Sequence, residues 1–451
     1  MPQERVRSRT PQRSRPVPRP RSTGPLPRAR AAVARLDRPL TAYYLLLGGV
    51  LLILALGLTM VFSASQIESL QQGLGMYYYF KRQLIAVAIG LVLMFVAVRV
   101  PPARLRKLIY PFLLLSLFLL ALVLVPGIGV TAGGNTNWIQ LVGPFQLQPS
   151  EFAKLALVLW GADLLARKQR MRMLKSWKHL VVPLAPMTGL VLLLVMGGGD
   201  MGTSMVIVAI AFALLWVVGA PGKLFTVSLG VVGFAAVLGV WLVPNRLGRL
   251  GCVGVTQTGP DQPCWQAVHG IYALASGGLF GKGLGASIEK WGVLPAAHTD
   301  FIFAVTGEEL GLIGTLCVLM LYAAVLYGGL RVAQRAHEPF VRYAASAIVT
   351  WIAAQCIVNI GAVVGLLPIA GVPLPLFSYG GSALLPTMFA VGLLISFARN
   401  EPAAKHALNK RGPGPVTKTV NVLRPSRKAA AKQRVGRSSR PAVRGGASRP
   451  R

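Results

Sequence analysis

Residues 297–329, AHTDFIFAVTGEELGLIGTLCVLMLYAAVLYGG, decide the fold. From Phe301 onward the stretch is apolar for long enough to cross a bilayer, which takes roughly 20 residues of helix. His298, Thr299 and Asp300 stand directly before it, and Glu308 and Glu309 follow within three helical turns. Charge at the edge of a hydrophobic segment is costly unless it is paired or put to use.

Working outward, similar runs recur at about 41–63, 84–100, 109–126, 152–166, 181–197, 203–219, 224–243, 301–329, 343–366 and 382–398. Of the 451 residues 54% are hydrophobic and only 13% charged, whereas a soluble domain carries about 25% charged residues. The sequence therefore predicts an all-α polytopic membrane protein with about ten transmembrane helices. No soluble domain, nucleotide-binding loop or Cys/His zinc spacing is visible.

The formal charge of +34 belongs to the ends of the chain. Residues 1–38 hold eleven Arg, and fourteen Lys or Arg lie beyond residue 400. Mixed with Pro, Ser, Ala and Gly, such segments cannot bury a core, so 1–40 and 399–451 are expected to be disordered basic tails. Attraction to an anionic cytoplasmic leaflet explains their charge more simply than nucleic-acid binding.

Loop charge orients the membrane domain, 41–398. One set of loops carries Arg104, Arg106, Lys107, the basic run from Arg167 to Lys178, Lys223, Arg331 and Arg335, while 127–150, 198–202 and 367–381 have no basic residue. By the positive-inside rule both termini are cytoplasmic. A large extracellular loop, 244–300, then joins spans seven and eight. Cys252 and Cys264 share that loop, where a disulfide is permitted.

Candidate polar residues divide between structural and functional readings. Glu151 and Lys154 sit three apart on one helix face, either as a local ion pair or as a charge pair lining a cavity. Asp200 is placed to cap the next helix, or to belong to a substrate path. Asp300 is a good N-cap residue, with catalysis as the functional alternative. At least one of Glu308 and Glu309 is expected to face the bundle interior.

Four stretches, NWIQLVGPFQLQPSEFAKLAL, GDMGTS, GGLFGKGLGASIEKWGVLPAAHTDFIFAVTGEELGLIG and NIGAVVGLLPIAGVPLPLFSYGGSAL, resemble the SEDS family (shape, elongation, division and sporulation). They occur in family order, cover roughly 41–398 and look most like the cell-division branch. One departure is visible: family members often have Glu where this chain has Ala296.

The resemblance implies a plasma-membrane peptidoglycan glycosyltransferase that polymerises lipid II at the outer face, at the division septum. Implied partners are a class B penicillin-binding protein and other cell-division proteins reached through the tails. Asp300 matches the family's catalytic Asp, and Glu151 and Lys154 match its charged pair. Arg82, Trp138, His298, Thr299, Glu308 and Ser378 are the further substrate-binding candidates, with Lys154, Arg82, Arg246 and Arg249 as cations available to the departing pyrophosphate. A divalent cation, Mg or Mn, is compatible with that leaving group, though no dedicated cage of ligands is visible. A lipid flippase and a division scaffold without catalysis are the competing expectations.

Overall fold

The computed structural model describes residues 40–410, apart from 133, 142, 144, 242–250, 256–258 and 260–263. Its helices, in chain order, are α1 (Thr41–Gln71), α2 (Tyr78–Arg99), α3 (Pro102–Val123), α4 (Pro149–Arg170), α5 (Trp177–Val181), α6 (Leu184–Gly197), α7 (Met201–Val218), α8 (Gly222–Trp241), α9 (Trp265–Ser276), α10 (Ile302–Arg335), α11 (Pro339–Val363), α12 (Gly381–Asn400) and α13 (Pro402–Lys410). Proline at the first helical positions of α3, α4 and α11 starts those helices where a backbone donor would be unused anyway.

Among the described residues, eight helices are long and apolar enough to cross a membrane. The expected span 152–166 lies within α4, which carries Glu151, Lys154, Asp163 and a basic last turn and so falls outside that group. Residues 224–241 of the expected span 224–243 lie in α8, whose described apolar part ends at Val231. The core is organised around α11, which packs against α4, α7 and α10, while α12 packs along α2 and α10 along α1.

Three features depart from expectation. The segment after α3 is not plain loop: β1 (Gly129–Ala132), β2 (Asn135–Gln140) and β3 (Gln146–Leu147) form an antiparallel sheet in that order. Val130 faces Trp138 and Ile139 faces Leu147 across it, as suits β-branched and aromatic residues between Gly-containing turns. Second, helix continues beyond residue 398, α12 to Asn400 and α13 from Pro402, with Glu401 between them paired to Arg335 at 3.6 Å and Ala404 buried. The rest of both tails lies outside the described residues.

Third, α10 is broken. Gly311 takes φ 67° and ψ −165° inside it, a backbone open in practice only to glycine. The break frees backbone groups that a membrane would leave unsatisfied, and the loop after α9 satisfies them. Lys282 and Gly283 donate their N–H groups to the carbonyls of Glu308 and Glu309, and Leu312 and Ile313 donate to Gly278 and Leu279. A Cβ on Gly311 would stand 2.4 Å from the Gly281 nitrogen, so this insertion demands glycine on both sides.

Candidate functional site

Asp300 sits at the end of a compact turn. Ala296 has φ 56°, uncommon for a residue with a side chain, and its carbonyl accepts from Thr299 N at 3.1 Å, Thr299 Oγ1 at 3.2 Å and Phe301 N at 3.2 Å. The buried Phe301 anchors the turn and occupies the N-cap position of α10, with no side-chain cap there. The half-buried side chain of Asp300 faces Gly371, with Oδ2 3.8 Å from where a Cβ on that glycine would stand.

A second loop, 371–380, holds that turn in place. Asn359 in α11 donates from Nδ2 to the carbonyls of both Asp300 and Val372, 2.8 Å each. Tyr379 N donates to the His298 carbonyl at 3.1 Å. The loop is kept in shape by Ser378 Oγ, which accepts from Leu374 N at 2.9 Å, and by Leu376 at φ 67°. Gln83 in α2 donates from Nε2 to the Ser378 carbonyl and accepts at Oε1 from Gly380 N, both at 3.2 Å. Sequence reasoning missed Asn359 and Gln83; the available signal was an amide inside an otherwise apolar span.

His298 is enclosed by rings. Its imidazole lies 4.9 Å from the Tyr79 ring and 5.3 Å from the Tyr379 ring, centroid to centroid. Burial pushes the imidazole down to about 4, so it is neutral near pH 7. Burial pushes the Tyr379 phenol up to about 12, opposed by the positive charge of Arg82. Arg82 thus belongs to the same neighbourhood; its guanidinium lies over Tyr78 and Phe145, 5.5 Å and 5.6 Å from the ring centroids.

The α4 entrance joins this region through α12. Gln148 N donates to Ser382 Oγ at 2.7 Å, one residue into α12. Asp200 takes the capping role, accepting from Thr203 N at 2.9 Å, and also receives Gln148 Nε2 at 3.0 Å. Lys154 Nζ donates to Glu151 Oε1 at 2.7 Å, both side chains fully buried, with the ammonium 5.3 Å from the Trp351 ring centroid. Next to them, Phe152 and Leu155 join Leu93, Ile109, Phe112 and Phe389 around an apolar cavity of about 270 Å³ between α2, α3, α4 and α12.

Other expected site residues lie elsewhere. Glu308 was expected to contact substrate, but its buried carboxylate accepts from Lys282 Nζ at 2.7 Å, Ser287 Oγ at 2.5 Å and Ile288 N at 3.0 Å. Glu309 accepts from Lys290 Nζ and Ser63 Oγ, each at 2.7 Å. Both acids hold the inserted loop against the broken helix, because buried carboxylates need that many donors. Trp138 sits in β2, half-buried. Cys252 and Cys264 are joined in a disulfide with Cα atoms 5.0 Å apart. Arg246 and Arg249 lie outside the described residues, among which no cluster of three or more His, Cys, Asp or Glu could hold a metal ion.

The fold and this site define a polytopic membrane protein whose candidate carboxylate stands where a loop meets a span, with an apolar cavity between neighbouring spans. The family profile for FtsW, RodA and SpoVE, described as "Cell cycle protein", matches residues 43–402, and the chain belongs to that family. It is 36% identical over 375 residues to the probable peptidoglycan glycosyltransferase FtsW of Mycobacterium tuberculosis, covering 83% of this chain and 71% of that one. Among solved structures it is similar to the rod shape determining protein RodA of Thermus thermophilus, with TM-score 0.59 and 30% identity, over 80% of this chain and 97% of that one. A chain from a peptidoglycan synthase complex that coordinates polymerization and crosslinking matches with TM-score 0.64 and 29% identity, over 79% and 97%.

Proposed function

We propose that this protein is a peptidoglycan glycosyltransferase that polymerises lipid II at the outer face of the plasma membrane, with Asp300 as general base. One observation carries the assignment of the base. The Asp300 backbone is pinned by Asn359 and by the turn at Ala296, and its half-buried side chain faces Gly371 of the second loop. A backbone held that firmly presents the carboxylate to one place, as base catalysis requires. His298 is a poor rival, since its enclosed ring is pushed to about 4 and binds a proton weakly.

The reaction joins two lipid-linked sugars. The acceptor 4-hydroxyl attacks the donor anomeric carbon, Asp300 takes the hydroxyl proton, and undecaprenyl pyrophosphate leaves from the opposite face with inversion. Arg82 is the cation best placed to receive the pyrophosphate, being half-exposed beside the aromatic cluster. Lys154 is committed to Glu151 and shapes the site rather than meeting the leaving group. The apolar cavity beside Phe152 suits part of the polyprenyl chain.

The basic loops support the reading that both termini are cytoplasmic and the Asp300 turn is outside. The name of the FtsW relative and the nature of the synthase complex favour work at the division septum beside a class B penicillin-binding protein. Purified protein given lipid II in detergent is expected to yield glycan polymer. A preparation that carries lipid II across a bilayer and forms no polymer would favour the flippase reading.

A further inference from the structure

A cleft lies away from this site, where α2, α10 and α12 end. Its volume is about 830 Å³, within the range of small-molecule sites. Arg99, Arg335, Arg399 and Lys405 line it, with Val98, Val332, Val341 and Phe397 forming an apolar wall. Two acids share the cleft, and both are engaged. Glu401 pairs with Arg335 at 3.6 Å, and Glu338 pairs with Arg170 at 3.6 Å and Arg106 at 3.8 Å. Arg99, Arg399 and Lys405 form no ion pair with any described residue.

Charge compensation at helix C-termini accounts for Arg99, Arg335 and Arg399 one at a time. It does not account for their convergence with Lys405 on one cleft that also has an apolar wall. The chain's own tails are unsuited to fill it, since residues 1–38 carry eleven Arg and 411–451 are equally basic in character. An occupant must be anionic at one end and apolar at the other. The cleft opens where three long helices leave their apolar stretches, which is headgroup depth.

We propose that this cleft binds an anionic glycerophospholipid, its phosphate among Arg99, Arg399 and Lys405 and its glycerol and upper acyl carbons on the Val98–Val332–Val341–Phe397 wall. Basic pockets between span ends bind such headgroups elsewhere. The site is independent of the glycosyltransferase reading and lies in none of its machinery.

Native mass spectrometry of the full-length protein with phosphatidylglycerol, phosphatidylcholine or inorganic phosphate tests it. Wild-type protein should retain phosphatidylglycerol over phosphatidylcholine, and the preference should fall roughly fivefold for each charge removed in R99Q, R399Q and K405Q. An unchanged thermal melt shows that each variant is folded, and the exposed K405E supplies a second variant remote from packing. Equal retention of the two lipids by wild type, or an undiminished preference in the triple variant, overturns the proposal. So does inorganic phosphate competing as well as the lipid, since the apolar wall would then contribute nothing. If a polyglutamate peptide binds and phosphatidylglycerol does not, the cleft belongs to an acidic protein partner and the lipid assignment falls.

Discussion

Asp300 and the Glu308–Glu309 pair stand less than three turns apart at the start of one helix, and their surroundings are opposite. The two glutamates are fully buried and surrounded by donors from Lys282, Ser287, Lys290 and Ser63. Asp300 is half-buried, with its backbone held by Asn359. Charge beside a span can thus serve two ends. Donors that enclose the carboxylate itself make it a structural clamp, whereas the proposed base is held through its backbone and keeps a half-buried side chain.

The largest effect should separate the two kinds. Asp300→Asn keeps the shape and removes the basic oxygen, so lipid II polymerisation should fall about 10²–10⁴-fold with an unchanged thermal melt. Retention of more than about a tenth of wild-type turnover would remove Asp300 as the base. Glu308→Gln, in contrast, should lower the melting temperature, while the molecules that remain folded still polymerise.

Breaking the clamp should act on stability. Glu309→Gln or Lys290→Met leaves one member of a buried pair uncompensated, at a cost of about 3–5 kcal/mol. Replacing both at once, as Glu309→Leu with Lys290→Met, should cost less than either single change. A double variant melting lower than both singles would mean that the pair is not coupled.

The loop beside Asp300 should respond to pH. His298 has its pKa lowered from 6.5 to about 4, so between those values the unfolded chain binds the proton and the folded one does not. Stability then rises with pH through that window, is complete above the unfolded value, and is lost as pH falls toward about 4. The upper bound is about 3 kcal/mol. Thermal melts from acid to neutral pH should show this slope, and His298→Phe should flatten it; an equal slope in the variant would assign it to other groups.

The smallest effect concerns the second loop. Gln83→Leu removes two hydrogen bonds at 3.2 Å to residues 378 and 380 and should cost about 1–3 kcal/mol. Hydrogen exchange should quicken in 374–380 and leave the inserted loop at 278–283 unaffected. Equal quickening in both would show that the two loops open together, weakening the contrast between clamp and site.

Much of this was legible in the chain. Asp300 was singled out by the family resemblance. Apolar runs of span length marked the membrane helices, and the i, i+3 spacing marked the Glu151–Lys154 pair, because hydrophobic length and local spacing are properties of the sequence itself. The Asp200 cap was legible for the same reason, since its partner Thr203 is only three residues on. What lay beyond reading were contacts between residues distant in the chain. Gln83 and Asn359 show only as amides in apolar spans, and each matters because a loop from elsewhere meets it across the bundle. Which of Asp300, Glu308 and Glu309 is fully buried was likewise tertiary. All three are carboxylates beside one span, and only the packing of the glycine-rich loop against the break at Gly311 decided which would be enclosed by lysines.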